Sequence, residues 1–269
     1  MAVLPHQHYT WAEYLTRLNT RSPWRDPIAN RPAETWSGGQ SFKKSVALAV
    51  TGWDKGRDML DASLRANARP IDLAPIRSLD VGGAYPVVPI AVAGDPCCMV
   101  RPGVEIIPRA VYRLVISNSV RSEVSAVQFK HRGVAICRIV DALEAAGSRV
   151  EIIADSTADA SSETLSFSYT VKEADQPLDI DRVAFVFAHA AAHRYCNFHL
   201  REFIGGEKRW GGYGASKNPN PKNHPDAIVI PYLSSSIADH YNTVEGAVAH
   251  ISGIMRERSE ERRVGKECR

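Results

Sequence analysis

The 269-residue chain lacks any high-specificity motif for nucleotide, metal or covalent chemistry: it has no CxxC pair and no HExxH. Cysteine is scarce. Cys97, Cys98, Cys137, Cys196 and Cys268 are odd in number and follow no disulfide-framework spacing, which predicts reduced thiols and a cytoplasmic setting. Long apolar runs are missing too. Stretches such as 183–192 fall well short of the ~20 residues that span a bilayer. No charged segment followed by an apolar run opens the chain, so we expect neither a leader nor a membrane partner. A charge imbalance is also wanting. Lys and Arg number 33 against 30 Asp and Glu, a net +3 that gives no strong nucleic-acid signal.

What remains is ordinary globular chemistry, 44% apolar and 23% charged, in a chain large enough to fold without staples. Thr10 to Leu18 (TWAEYLTRL) reads as a short helix capped by Thr10. Pro23, Pro27 and Pro32 then mark an extended arm. Ser41 to Val50 reads as a Ser41-capped helix stopped by Gly52, and Asp54 to Ala68 as another. Residues 69–110 hold seven of the 16 prolines and predict short strands at 77–80 and 87–91, with a GDPCCM turn at 94–99.

From Val111 the pattern changes. VYRLVIS (111–117) is a buried strand and RGVAICRIVDALEAA (132–146) an amphipathic helix stopped by Gly147. RVEIIA (149–154) is a second buried strand. A short helical crossover makes the two strands parallel. TLSFSYTV (164–171) alternates cleanly, as a half-exposed strand does, and follows its predecessor without a helix. It should therefore be an antiparallel strand at the sheet edge. A long helix over 181–203, a Gly/Asn/Pro-rich loop over 205–225, a strand over 226–231 and a helix over 243–258 complete the pattern. The expected fold is α/β: a mainly parallel sheet with one antiparallel edge strand and helices on both faces, preceded by a helical and Pro-rich N-terminal region. Residues 1–107 are read as an arm, helices and short strands packing on the core, and 108–258 as the core domain. Ser259–Arg269 break the earlier pattern, look like translated adapter sequence, and are set aside as a solvated or non-native tail.

Ligands of open α/β sheets bind beyond the carboxyl ends of the strands. Ser117, Asn118, Ser119 and Ser122 follow the first strand, and Asp155, Ser156 and Thr157 the second. These oxygen-bearing residues suit Mg²⁺, and they equally suit ordinary turn satisfaction. A second candidate is HAAAHRYCNFH, where His189, His193 and Cys196 share a helical face at i, i+4 and i+7 and form an alternative zinc set. Phe185, Ala192 and Leu200 share that face, which equally marks it as core. WGGYG (210–214) follows a helix where a phosphate cradle would precede one, and Cys97–Cys98 lack a basic neighbour.

The strand order over 108–258, with the run 132–152, resembles the von Willebrand factor A family. Its Asp-x-Ser-x-Ser metal motif would fall on Ser117, Ser119 and Arg121, so the resemblance implies a dead metal site and a non-catalytic module that binds a protein partner. The rim Ser117–Ser122 with Asp155–Thr157 would then be the contact surface. The segments Trp36-Ser-Gly-Gly, Gly52-Trp53, Asp80-Val-Gly-Gly, Gly94-Asp-Pro and Arg132-Gly133 are similar to a family of uncharacterised proteins encoded in tailed phages and prophages. That resemblance implies a source, and with it a virion or assembly component as a further role. A metal-dependent hydrolase or nuclease using Asp155 or the histidine face is the enzymatic alternative.

Overall fold

Helices in the first part of the chain start on side-chain caps. In a computed structural model, which describes residues 2–32, 38–58, 60, 77–80, 85–102, 111–121, 123–160, 163–205 and 215–267, α1 is Trp11–Leu18. Thr10 accepts from the Glu13 amide while the Glu13 carboxylate accepts from the Thr10 amide, a reciprocal capping box. α2 is Phe42–Thr51, capped by Ser41 and ended by Gly52 at φ +83°. A Cβ on Gly52 would lie 2.3 Å from Asp181 Cβ, so space and backbone both require glycine there.

The chain divides into two compact units, one of residues 1–68 with 111–269, the other of residues 69–110. The smaller unit holds a three-stranded antiparallel sheet in the order β3 (Arg77–Asp80), β5 (Met99–Pro102), β4 (Tyr85–Pro86), with helix α3 (Val88–Val92). The expected strand over 87–91 is mostly this helix, with Pro89 in its first turn, where a missing amide costs nothing. The expected helix over 54–68 is described only as far as residues 54–58 and 60.

The larger unit is α/β with a mostly parallel mixed sheet. β6 (Val111–Ser117) pairs in parallel with β7 (Arg149–Ala160), and Ser117 stands opposite Asp155. The crossover between them is α4 (Ala126–Ala145), capped by Ser125. β7 pairs antiparallel with β8 (Glu163–Lys172), and β10 (Ile228–Ile230) lies parallel on the far side of β6. β9 (Ala215–Lys217) pairs antiparallel with the end of β7. Helices α5 (Ile180–Ala188), α6 (Phe198–Gly205), α7 (Ser235–Ala238) and α8 (Val244–Glu267) complete the unit.

Two expectations change here. β8 is antiparallel but is not the edge, because β1 (Ala2–Val3) and β2 (Gln7–Tyr9) add to its outer side in parallel register. The first residues are thus part of the sheet. Nor do helices cover both faces among the described residues. Leu114, Ile116, Val150, Ile152, Leu165, Phe167 and Tyr169 point into one large core, which the helices join through residues such as Tyr14, Ile136, Phe185 and Ile251. Tyr14 stacks on Tyr169 with ring centroids 4.0 Å apart. The reverse face has a small apolar cluster at Val115, Ile153 and Ala227, and is otherwise polar along β7 and β8. There Asp155 stands opposite Ser168, Thr157 opposite Ser166 and Asp159 opposite Thr164. Such a row offers a helix nothing apolar to bury, which explains the one-sided layering. No helix among the described residues is long and apolar enough to cross a membrane.

Candidate metal centre

The residues expected at the strand ends are buried, and the sheet sorts them to its two sides. Ser117, Asn118, Ser119, Asp155 and Ser156 are 0% exposed and Thr157 is 2% exposed. On the helical side, the buried Arg201 guanidinium donates to Ser156 Oγ at 2.9 Å and Ser119 Oγ at 3.2 Å. Burial draws the Arg201 pKa down to about 10, an effect that the Asp155 charge partly offsets. Ser119 Oγ in turn donates to the Thr157 carbonyl at 3.2 Å, and Asn118 Nδ2 to Tyr169 Oη at 3.1 Å. Ser117, the parallel partner of Asp155, shares its face, and its Oγ accepts from the Ser119 amide. The serine hydroxyls and the Asn118 amide nitrogen have partners here, while Asn118 Oδ1 is buried without one among the described residues. Arg121 is exposed and pairs with Glu123 at 3.4 Å, and Ser122 lies outside the described residues.

Asp155 and Thr157 face the other way. Thr157 Oγ1 donates to Asp155 Oδ1 at 2.7 Å, and His224 Nε2 is hydrogen-bonded to Asp155 Oδ2 at 2.9 Å. His224 follows a short 3-10 turn at Pro221–Asn223, started by Asn220, whose side chain accepts from the Lys222 amide. His6 arrives from the opposite edge, between β1 and β2. Its Nδ1 is 2.8 Å from Ser166 Oγ and its Nε2 2.9 Å from Ser168 Oγ. Its ring sits edge-on to His224 with centroids 5.0 Å apart. Burial lowers the His6 pKa to about 4, with Asp155 pulling it up and His224 and His8 pushing it down. His8 continues the row. Its Nδ1 lies 2.8 Å from Ser168 Oγ and its Nε2 3.2 Å from Thr170 Oγ1, and burial lowers its pKa as well.

Among the described residues, His6, Asp155 and His224 are the group of metal-ligating side chains whose ligand atoms all lie within 4.8 Å of one another. Two imidazoles and a carboxylate are a common donor set for zinc and other divalent first-row metals. Donors on a tetrahedral zinc stand about 3.3 Å apart. The His224–Asp155 separation of 2.9 Å is near that spacing, and the His6 ligand atom lies within 4.8 Å of both. The cluster lies on the polar face of the sheet: Asp155 is inside β7, which runs on to Ala160, between Ser117 at the end of β6 and Ser168 on β8.

The zinc alternative does not assemble. The expected helix over 181–203 stops at His189, whose backbone turns extended at ψ 124° while its Nδ1 accepts from the Ala191 amide at 3.1 Å. The chain resumes as a π-turn over Ala192–Asn197. The i, i+4, i+7 spacing therefore no longer describes one face. Burial drives the His193 pKa well below its usual value and pushes the Cys196 thiol up to about 12, which keeps it protonated. WGGYG lies outside the described residues. Cys97 is exposed in the smaller unit, where its amide donates to Asp95.

Of the cluster, the strand-end rule picks out Asp155 alone. His6 and His224 stand 149 and 69 residues away in sequence, at no ligand spacing, so only the tertiary fold brings them in. A family profile described as a domain of unknown function (DUF7192) matches residues 6–255, and the chain belongs to that family. Its span begins at His6 and includes all three cluster residues. No curated protein and no solved structure matches the chain.

Proposed function

We propose that this member of the DUF7192 family is a metal-dependent hydrolase whose divalent ion is held by His6, Asp155 and His224. The observation that carries the reading is the convergence of three separate segments on one ligand set. Further support comes from the surroundings: Thr157 holds one carboxylate oxygen of Asp155 and leaves the other to His224. A bound cation at such a site lowers the pKa of a coordinated water and polarises a carbonyl or phosphoryl oxygen. His8, exposed beside the cluster, is placed to exchange protons with solvent.

Metal content of the purified full chain tests the reading, followed by chelation and titration with zinc and manganese. One equivalent bound, lost in His6→Ala, Asp155→Asn and His224→Ala, is the expected result. Hydrolysis of p-nitrophenyl acetate, bis-p-nitrophenyl phosphate and single-stranded DNA, each with and without metal, separates esterase, phosphodiesterase and nuclease. A chain that binds no stoichiometric divalent ion, native or reconstituted, ends the proposal.

The phage-encoded interaction platform remains a reading from resemblance. It needs Ser117–Ser119 and Asp155–Thr157 to face a partner. Their burial leaves it with less support than the metal centre has.

A further inference from the structure

Hydrogen bonds linked in series fix the positions of protons that no single contact reveals. Thr157 Oγ1 donates to Asp155 Oδ1 at 2.7 Å and also lies 2.9 Å from Ser166 Oγ. A carboxylate only accepts, and a hydroxyl has a single proton. With the Thr157 proton committed to Asp155, the Ser166 hydroxyl must donate to Thr157. The Ser166 proton is then committed too, so its 2.8 Å contact with His6 Nδ1 requires the imidazole to be the donor. A neutral imidazole carries one N–H. Placing it on Nδ1 leaves Nε2 with a bare lone pair, the form a metal ligand needs.

We propose that Thr157 and Ser166 are positioning residues that hold His6 in its Nδ1–H tautomer, leaving Nε2 as its ligand atom for a divalent cation. The proposal rests on the metal reading for its purpose, but the tautomer is a property of the metal-free protein. The relay starts on Asp155 and ends on His6, so one ligand orders another across β7 and β8. Ser168 completes the device. Its hydroxyl lies 2.9 Å from His6 Nε2 and 2.8 Å from His8 Nδ1, and it has one proton to give. A cation on Nε2 takes the place of that donor, and the Ser168 proton then turns wholly to His8. His8 is thereby set to carry its own proton on Nε2, facing Thr170 Oγ1 at 3.2 Å.

The experiment is long-range ¹H–¹⁵N correlation on histidine-labelled, metal-free full chain, with the His6 signals assigned by their loss in His6→Gln. The expected spectrum has His6 protonated on Nδ1 at pH 7. Thr157→Val and Ser166→Ala should move it to a mixture or to the Nε2–H form, and Thr157→Ser should restore the wild-type pattern. Zinc affinity, read against a competing chelator, should fall about 10- to 100-fold in the first two variants, the usual scale for a lost outer-sphere partner. In Thr157→Ser it should stay within about twofold of wild type, because the relay is intact. An Nε2–H tautomer in the wild type, or one unchanged in Thr157→Val, overturns the proposal. The wild-type spectrum decides the question even if a variant fails to fold. If His6 is Nδ1–H and zinc does not bind, the relay stands and the metal reading falls. If zinc binds to an Nε2–H His6, the relay falls and the metal reading stands.

Discussion

Adding one methyl group at Gly133 tests how closely the helical layer is packed. Gly133 is buried in the middle of α4, facing the end of α5. A Cβ there would lie 2.5 Å from Ala188 Cβ and 3.2 Å from the Ala188 Cα and amide nitrogen. Carbon atoms settle at about 3.5–4.0 Å, so the two helices must part by about 1 Å. Val183, Phe185 and Phe187 bury α5 in the core, so the helix cannot move alone. Overpacking of this kind costs about 1–3 kcal/mol. Ala gains about 1 kcal/mol over Gly in a helix interior. The clash is with backbone as well as side chain, so its cost lies near the upper end of that range. Gly133→Ala should therefore destabilise the protein by about 1–2 kcal/mol. Urea unfolding reads this as a lower midpoint at an unchanged slope. Ala188→Gly removes the opposing methyl, and the double variant should recover part of the loss, giving a favourable coupling of about 1 kcal/mol. If Gly133→Ala instead stabilises the protein by about 1 kcal/mol, helix propensity alone governs the site and the close approach is refuted.

Three further predictions concern charge and metal. Burial, with a smaller push from Lys130, lowers the His189 pKa from 6.5 to about 4. The unfolded chain therefore binds the extra proton, and stability complete above pH 6.5 should fall by about 3 kcal/mol as pH drops toward 4. His189→Asn keeps an acceptor for the Ala191 amide but cannot titrate, so its acid slope should be shallower by about one proton. Identical slopes in urea series at several pH values would count against this. Lys172 is 2% exposed, pairs with Glu144 at 2.6 Å and donates to the Val150 carbonyl at 2.8 Å. Lys172→Ala should cost about 2–3 kcal/mol, the low side of a broken buried pair because Glu144 still meets solvent, and Lys172→Met less. A midpoint for Lys172→Ala close to wild type would remove the pair from the account. Zinc at a hundredfold excess over its dissociation constant should add about 2.7 kcal/mol, a rise of roughly 5–10 °C in Tm. His224→Ala should show no such rise, and an equal rise in both proteins would mean that the ion binds elsewhere.

Local pattern made β6, the 132–145 part of α4 and the 149–154 part of β7 legible, because apolar periodicity declares itself there; residues 126–131 of α4 and 155–160 of β7 are too polar for that pattern and fell outside the expected bounds. The same rule failed at β8 for a definite reason. Alternation reports that one face of a strand is polar, not whether that face is wet. Ser166, Ser168 and Thr170 are polar but buried, because His6 and His8 lie on them. The strands that bring those histidines have two and three residues, too few for any period to show. The break at His189 was hidden differently: Phe185 to Cys196 keep helical spacing in sequence, while a side-chain acceptor for the Ala191 amide interrupts the backbone. Asp155 was visible by its place at the end of a predicted strand, and His224 by nothing in its Asn/Pro-rich loop. His6 left one faint trace. His6 and His8 repeat at period two, and so do Ser166, Ser168 and Thr170, and two such polar rows fit each other only if their strands lie side by side with both rows on one face. Matching the two rows would have covered the edge of the sheet and brought His6 within reach of Asp155 by the same step.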